Sequence, residues 1–381
     1  MSKFTSLPLK AAFLFLLIIA FSACAFGSID GNGPNATPAG ATSEPPPSEA
    51  APTQSPTVEP PPTAPPVSTV TVGFVARAAN APAGSIPALS LNGMQLVAST
   101  NSALFQLDLI EIEALDSADP EAAIAMAVGH GDTIIVVAGA DLAEVTRNAA
   151  QAHPEATFVG VDQPGDETLA NYYTLGGPGS RLDQEGFVAG ALAGYVTQER
   201  IVGLVVVANT LEGKLYTNGF THGLRYACGD CKLWTIELEN TTDLETGAGT
   251  AARLKEVKAD VIFAAAGEAG NAGLEAAAAQ GTWVIGLGQD EAATLTVGAD
   301  KVLNSVLRRP DLLLPSVIMN LLAGTPPAKS IPFDLANGLS LASNFGPNVS
   351  PAVAGLMDEL LPQLASGFLD TGVDPATGEV R

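Results

Sequence analysis

The chain has 381 residues, with 40 Asp and Glu set against 17 Lys and Arg, so its net charge is −23 and its pI about 4.3. So acidic a surface repels nucleic acid and anionic lipid, which excludes both as partners for a charged face. Its three histidines (His130, His153, His222) have no metal-ligand spacing, so neither a resident metal nor another cofactor is expected.

At the start, Lys3 and Lys10 precede an apolar run from Ala11 to Phe21, which ends in Phe21-Ser22-Ala23-Cys24. A short basic region, a short apolar region and small residues before a cut form a secretory signal. The run is shorter than the roughly 20 residues that a spanning helix needs. A cysteine directly after the small residues makes it a lipoprotein signal, 1–23, with Cys24 as the lipidated first residue of the mature chain. Residues 24–67 follow as a tether, with Pro45-Pro46-Pro47, Pro60-Pro61-Pro62 and Pro65-Pro66 among Ser, Thr, Ala and Glu. That composition cannot bury a core, and some 40 residues at about 3.1 Å each give an extended reach of about 120 Å. The expected location is the extracytoplasmic face of a cell membrane, held there by lipid.

From Ser68 on, about 310 residues remain, more than one compact core usually holds. Strands are expected at Thr69–Val75, Leu107–Ala114, Thr133–Ala138 and Ala156–Val161, with helices at Pro120–Val128 and Ala143–Ala152. The alternation then restarts: helix Leu182–Val196 with Gly186 and Gly190 on one face, strand Ile201–Val207, helix Leu211–Tyr226, strand Leu233–Leu238, helix Asp243–Val257. Strand Asp260–Ala265, helix Ala272–Gln280 and strand Trp283–Leu287 continue it. A helix at Asp311–Leu322, a hairpin at Ile331–Leu341 and a helix at Pro351–Leu364 complete the chain. Strands alternating with helices imply βαβ units and parallel sheets. The expected fold is therefore α/β, with two doubly wound parallel-sheet lobes. Ligands of such sheets bind at the carboxyl ends of the strands. Two such lobes place a cleft between them, closed by a hinge.

Cys228 and Cys231 form a Cys-x-x-Cys pair behind a helix. Outside the cytoplasm a small structural disulfide is favoured over free thiols, and both over redox chemistry, which wants the pair at a helix start.

Several segments together resemble the basic membrane protein family of ABC-transporter solute-binding lipoproteins, over about residues 70–341. They are Pro154-Glu155-Ala156-Thr157-Phe158-Val159-Gly160-Val161-Asp162, Gln184-Glu185-Gly186-Phe187-Val188-Ala189-Gly190-Ala191-Leu192-Ala193, Gly219-Phe220-Thr221-His222-Gly223, Ala259-Asp260-Val261-Ile262-Phe263-Ala264-Ala265-Ala266-Gly267 and Val284-Ile285-Gly286-Leu287-Gly288-Gln289-Asp290. The resemblance implies the periplasmic binding protein type I fold. It places lobe one at about 68–177 plus 291–330, and lobe two at about 178–290 plus 331–381. It also implies a purine-nucleoside-like solute, partners in an ABC permease and its ATPase, and no catalysis. No Gly-x-Ser-x-Gly elbow or other catalytic constellation argues for an enzyme.

The ligand-reading positions depart from the family. Its Asp-x-Ser-Phe-Asn is here Ala88-Leu89-Ser90-Leu91-Asn92, so Leu91 stands where an aromatic would stack, forgoing about 0.5–1.5 kcal/mol of π contact. Its ribose-binding Gly-Val-Asp is here Gly286-Leu287-Gly288, with Gln289 and Asp290 just beyond. Its Thr-Ser-x-x-Lys is Asn304-Ser305-Val306-Leu307-Arg308, and a planar Arg is no equivalent of Lys. The candidate ligand residues are Ser90, Leu91, Asn92, Asp162, Tyr216, Gly267, Gln289, Asp290 and Arg308. Five of them have plainer roles: Asp162 as a turn residue or cap, Arg308 in a surface pair, Asn92 as a helix cap, Gly267 in helix packing, Tyr216 in the core or at the surface. The alternative function is a tethered receptor that signals on binding a non-nucleoside solute.

Overall fold

A computed structural model describes residues 70–112 and 119–381. The signal segment 1–23, Cys24 and the tether 24–67 lie outside the described residues. Among the described residues no helix is long and apolar enough to cross a membrane.

The elements run β1 (Val70–Ala76), α1 (Ile86–Thr100), β2 (Phe105–Glu111), α2 (Pro120–His130), β3 (Ile134–Ala138), α3 (Ala143–Ala152), β4 (Thr157–Val161) and β5 (Tyr172–Leu175). The chain then crosses to α4 (Leu182–Val196), β6 (Ile201–Val207), α5 (Leu211–Ala227), β7 (Lys232–Leu238), α6 (Leu244–Glu256), β8 (Val261–Ala265), α7 (Gly267–Ala279), β9 (Trp283–Leu287), α8 (Glu291–Thr294) and β10 (Val302–Arg308). It returns for α9 (Pro310–Leu322) and β11 (Ser330–Ile331), then crosses again to β12 (Leu339–Leu341) and α10 (Pro351–Ala365).

Two six-stranded sheets result, in the orders β11-β5-β4-β3-β1-β2 and β12-β10-β9-β8-β6-β7. Every pairing is parallel except β10 with β12. The central strands β3 (Ile-Ile-Val-Val-Ala) and β8 (Val-Ile-Phe-Ala-Ala) are buried at every residue, as a sheet covered by helices on both faces requires. Each lobe has a core on either side of its sheet, built around Phe74 and Phe158 in the first and Phe220, Phe263 and Leu274 in the second.

The structure redraws the boundary between lobes. Residues 291–308, expected in the first lobe, belong to the second, because the apolar strand β10 pairs with β9. The side chain of Asn304 further ties this strand to the backbone of Ala342 and Asn344. The expected hairpin at Ile331–Leu341 is no hairpin. Ser330–Ile331 lies beside β5 in the first sheet and Leu339–Leu341 beside β10 in the second. Between them Pro332 and a turn closed by Asp334, Asn337 and Gly338 carry the chain across. The lobes are thus joined three times: at 176–181, at Arg309 and at 332–338. These crossings bond to one another, with Arg181 N–H donating to Phe333 O at 2.8 Å and Phe333 N–H to Ser180 Oγ at 3.1 Å.

The α4–α5 pair sets the second lobe's geometry. A Cβ on Gly190 would sit 2.2 Å from the carbonyl oxygen of Phe220, and one on Gly223 2.0 Å from that of Phe187. The two helix backbones therefore touch, which only glycine at the crossing permits. Cys228 and Cys231 close a disulfide at the end of α5.

Candidate functional site

The candidate site grows from strand ends. β4 stops at Val161, and Asp162 turns the chain with φ of 60°, a left-handed conformation that Asp tolerates better than most side chains. The turn is held by Asp162 N–H donating to Leu175 O at 2.7 Å, and the carboxylate is bonded by Arg308. On the second lobe, Arg308 closes β10 immediately before the crossing at Arg309. Glu185 sits in the first turn of α4, just after the crossing at 176–181, and Tyr216 lies in the second turn of α5.

The close α4–α5 packing brings these groups together. Arg308 Nε donates to Glu185 Oε1 at 2.8 Å and Nη2 reaches Glu185 Oε2 at 3.4 Å. The Tyr216 hydroxyl donates to Glu185 Oε2 at 2.5 Å and accepts from Arg308 Nη2 at 3.2 Å. The remaining nitrogen, Arg308 Nη1, donates across to Asp162 Oδ1 at 3.0 Å. Glu185 has no exposed side-chain surface, whereas Arg308 and Asp162 keep about a fifth of theirs. Burial and the Glu185 charge push the Tyr216 hydroxyl pKa well above its ordinary value. For Arg308, burial pulls the pKa down, but Glu185, Tyr216 and Asp162 more than reverse it, and the net shift is upward.

Asp162 and Arg308 line a cavity of about 300 Å³. First-lobe and crossing residues Gly177, Pro178 and Ser180 form one wall, and Leu211, Glu212 and Leu215 of α5 the other. That volume is at the lower end of the range for small-molecule sites. A larger cavity, about 550 Å³ around Asn209, Lys214 and Glu237, is lined wholly by second-lobe residues at the ends of β6 and β7. The described residues contain no group of three or more His, Cys, Asp or Glu able to hold a metal ion.

The other candidates lie elsewhere. Ser90, Leu91 and Asn92 are in the second turn of α1. The hydroxyl of Ser90 is buried without a partner, Leu91 packs against the first core, and Asn92 faces solvent. Gln289 Nε2 donates to Glu291 Oε1 at 3.0 Å. Asp290 N–H donates to Ala83 O at 2.7 Å, a backbone contact between lobes at the ends of β9 and β1. Gly267 opens α7 at φ of 57°, with its Cα against Thr241, a packing position. The ring of Tyr216 is buried edge-on to Phe263 at 6.2 Å and exposes no face for stacking. Of the nine, Asp162, Tyr216 and Arg308 converge. Glu185, which completes them, figures in the sequence only as part of the family segment 184–193. Its signal was a charged residue beside a run of side chains that are otherwise small and apolar, a position a carboxylate occupies only when paired.

The PnrA-like ABC transporter substrate-binding protein model matches residues 90–354. This chain belongs to that family. Basic membrane protein A of Borreliella burgdorferi is 27% identical over 169 residues, which are 42% of this chain and 48% of that protein. The chain thus matches about half the length of that curated relative. Among solved structures, an ABC transporter solute-binding protein from Conexibacter woesei aligns with TM-score 0.62 at 20% identity, over 79% of this chain and 98% of that one. A transcriptional activator of the comK gene from Bacillus halodurans gives 0.62 at 19%, over 78% and 99%. A solute-binding protein from Aeropyrum pernix gives 0.57 at 16%, over 79% and 92%. At such identities the likeness speaks to fold, which is the type I periplasmic binding fold. Membership places the chain in a family of ABC transporter substrate-binding proteins.

Proposed function

We propose that this family member is a lipid-tethered, extracytoplasmic receptor that captures a small nucleoside-like solute between its lobes and presents it to an ABC permease. The observation that carries this reading is the cavity at the strand ends, whose walls come from both lobes and whose polar groups, Asp162 and Arg308, come one from each side. Closure about the three crossings would bury a solute against Leu211 and Leu215, with Asp162 supplying an acceptor. Binding and release need no bond to be made or broken, so no catalytic group is invoked. Lipidation of Cys24 would hold the domain near its permease at the end of the proline-rich tether.

A second reading keeps the receptor and changes the solute. Leu91 is half-buried against the first core, and Gly288 stands where the family's ribose-binding aspartate would be. Both favour a non-nucleoside solute, and either delivery or signalling on its binding. Thermal-shift screening with nucleosides, free bases, sugars and amino acids separates the two readings. A solute at about 100 times its Kd adds about 2.7 kcal/mol to stability. A response to purine nucleosides supports the first reading. A response to another class alone supports the second, and no response to any small solute refutes both.

A further inference from the structure

We infer that the Asp162–Arg308 bond is a latch that holds the two lobes together, and that Glu185 is the positioning residue that aims it. The inference rests on the two-lobe receptor reading and adds to it a way of setting how far the empty protein is closed.

Arg308 is held from one side. Its Nε and Nη2 are occupied by Glu185 and by the Tyr216 hydroxyl, all within the second lobe. Because Glu185 is fully buried and also takes the Tyr216 proton donor at 2.5 Å, the plane of the guanidinium is fixed relative to α4 and α5. A planar fork held at two nitrogens leaves the third pointing in one direction. That direction is across the cavity, to Asp162 of the first lobe at 3.0 Å. Asp162 is likewise fixed, through its left-handed turn at the end of β4 and its backbone bond to Leu175. Two rigidly held, oppositely charged groups therefore meet on opposite sides of the cleft. Among the described residues the lobes also touch where Asp290 N–H donates to Ala83 O beside Gly84, a backbone contact that carries no charge. An arginine committed in this way is not a free cation for an anionic group on the solute. It belongs instead to closure.

The test uses the full chain with Cys24→Ser, spin-labelled at Glu144→Cys in α3 and Glu245→Cys in α6, both exposed positions. Pulsed dipolar distances are recorded without any solute. Asp162→Gly removes the carboxylate at a backbone angle that glycine adopts without strain. Loss of a partly exposed charge-assisted bond is expected to raise the ratio of long to short lobe distances about tenfold. Asp162→Asn, which keeps the turn and one neutral acceptor, is expected to fall between that variant and the parent. Glu185→Gln is expected to broaden the distances with Asp162 intact, an effect that loss of stability alone does not produce in the folded fraction. Should Asp162→Gly fold poorly, the Asn variant decides. Folded Asp162 variants whose distance distribution matches the parent's overturn the latch. Because no solute is used, that failure leaves the receptor reading standing. A failed solute screen beside shifted distances would refute the receptor reading and keep the latch.

Discussion

Asp132 lies between α2 and β3 with 3% of its surface exposed and neither carboxyl oxygen hydrogen-bonded to a protein donor. It packs over Gly73 of β1, where a Cβ would fall 2.5 Å from Oδ2. Burial, then the neighbouring Asp108 carboxylate, raise its pKa to about 7 from 3.8, while the nearby His130 lowers it somewhat. The folded protein therefore keeps a proton that the unfolded chain releases from about pH 4 upward. The stability this contributes is complete below 3.8 and is lost as pH rises through about 7. The difference, 7 − 3.8 = 3.2 units, corresponds to about 4 kcal/mol as an upper figure. His130, about half exposed, has its pKa raised by its hydrogen bond to Asp108 and adds a slope of the same sign above pH 6.5. Exposed carboxylates with lowered pKa, such as Asp243 and Asp374, act below about pH 4 and leave this window alone. Asp132→Asn keeps the shape and removes the titration. Urea unfolding from pH 4 to pH 9 should show the parent losing a few kcal/mol that the variant retains, so the variant is the more stable protein at pH 8 by about 2 kcal/mol or more. Parallel stability curves for the two proteins across that range would refute the argument.

Two further predictions concern packing and the ion network. Gly190→Ala should destabilise by about 1–3 kcal/mol, because the new methyl meets the Phe220 carbonyl across the α4–α5 contact. By contrast Gly129→Ala in α2 meets nothing within 4 Å and should stabilise by about 0.5–1 kcal/mol, both read by chemical unfolding. Glu185→Ala leaves Arg308 buried without its main partner and should cost about 3–5 kcal/mol, whereas Glu185→Gln, which still accepts a bond, should cost less; equal costs would mean that the charge of Glu185 is immaterial.

Much of the fold was legible because its signals are local. Continuous apolar runs such as Ile134–Ala138 and Val261–Ala265, short and rich in β-branched residues, read as buried parallel strands, and Gly186 and Gly190 read as lying on one face of α4. The lobe exchange was not legible. Val302–Val306 is apolar enough for either sheet, and its place is decided by β9 and by the Asn304 bonds to residues some 40 positions on. Ser330–Ile331 and Leu339–Leu341 look like two arms of a hairpin since strand length and a turn are all that a sequence displays. Which sheet each arm joins is a tertiary matter. The site divided in the same way. Asp162 and Arg308 were readable as polar residues at strand ends, the place where α/β ligands bind. What the sequence does not display is that Glu185, 123 positions before Arg308, takes up the arginine from behind.

That engagement matters for how the family pattern should be carried over. A lysine in place of Arg308 would present one point charge, which either Glu185 or a solute could occupy. The arginine fork instead serves Glu185 and Asp162 at once, through separate nitrogens. Burying this network gains little net stability, since the cost of taking the charges out of water roughly cancels their attraction. Its effect is directional: it fixes where a positive charge stands and which lobe it faces. In a protein of net charge −23, that one cation at the cleft is spent on an internal carboxylate. The solute then meets Asp162, Glu212 and an apolar wall rather than a free guanidinium. A phosphorylated nucleoside should accordingly bind at least about tenfold more weakly than its neutral counterpart if the neutral one binds at all, since no uncommitted cation lines the cavity to offset the desolvation of a phosphate. Calorimetric titration of one protein sample with a nucleoside and then its monophosphate decides it, and equal or tighter binding of the monophosphate would show that Arg308 leaves Asp162 for the solute.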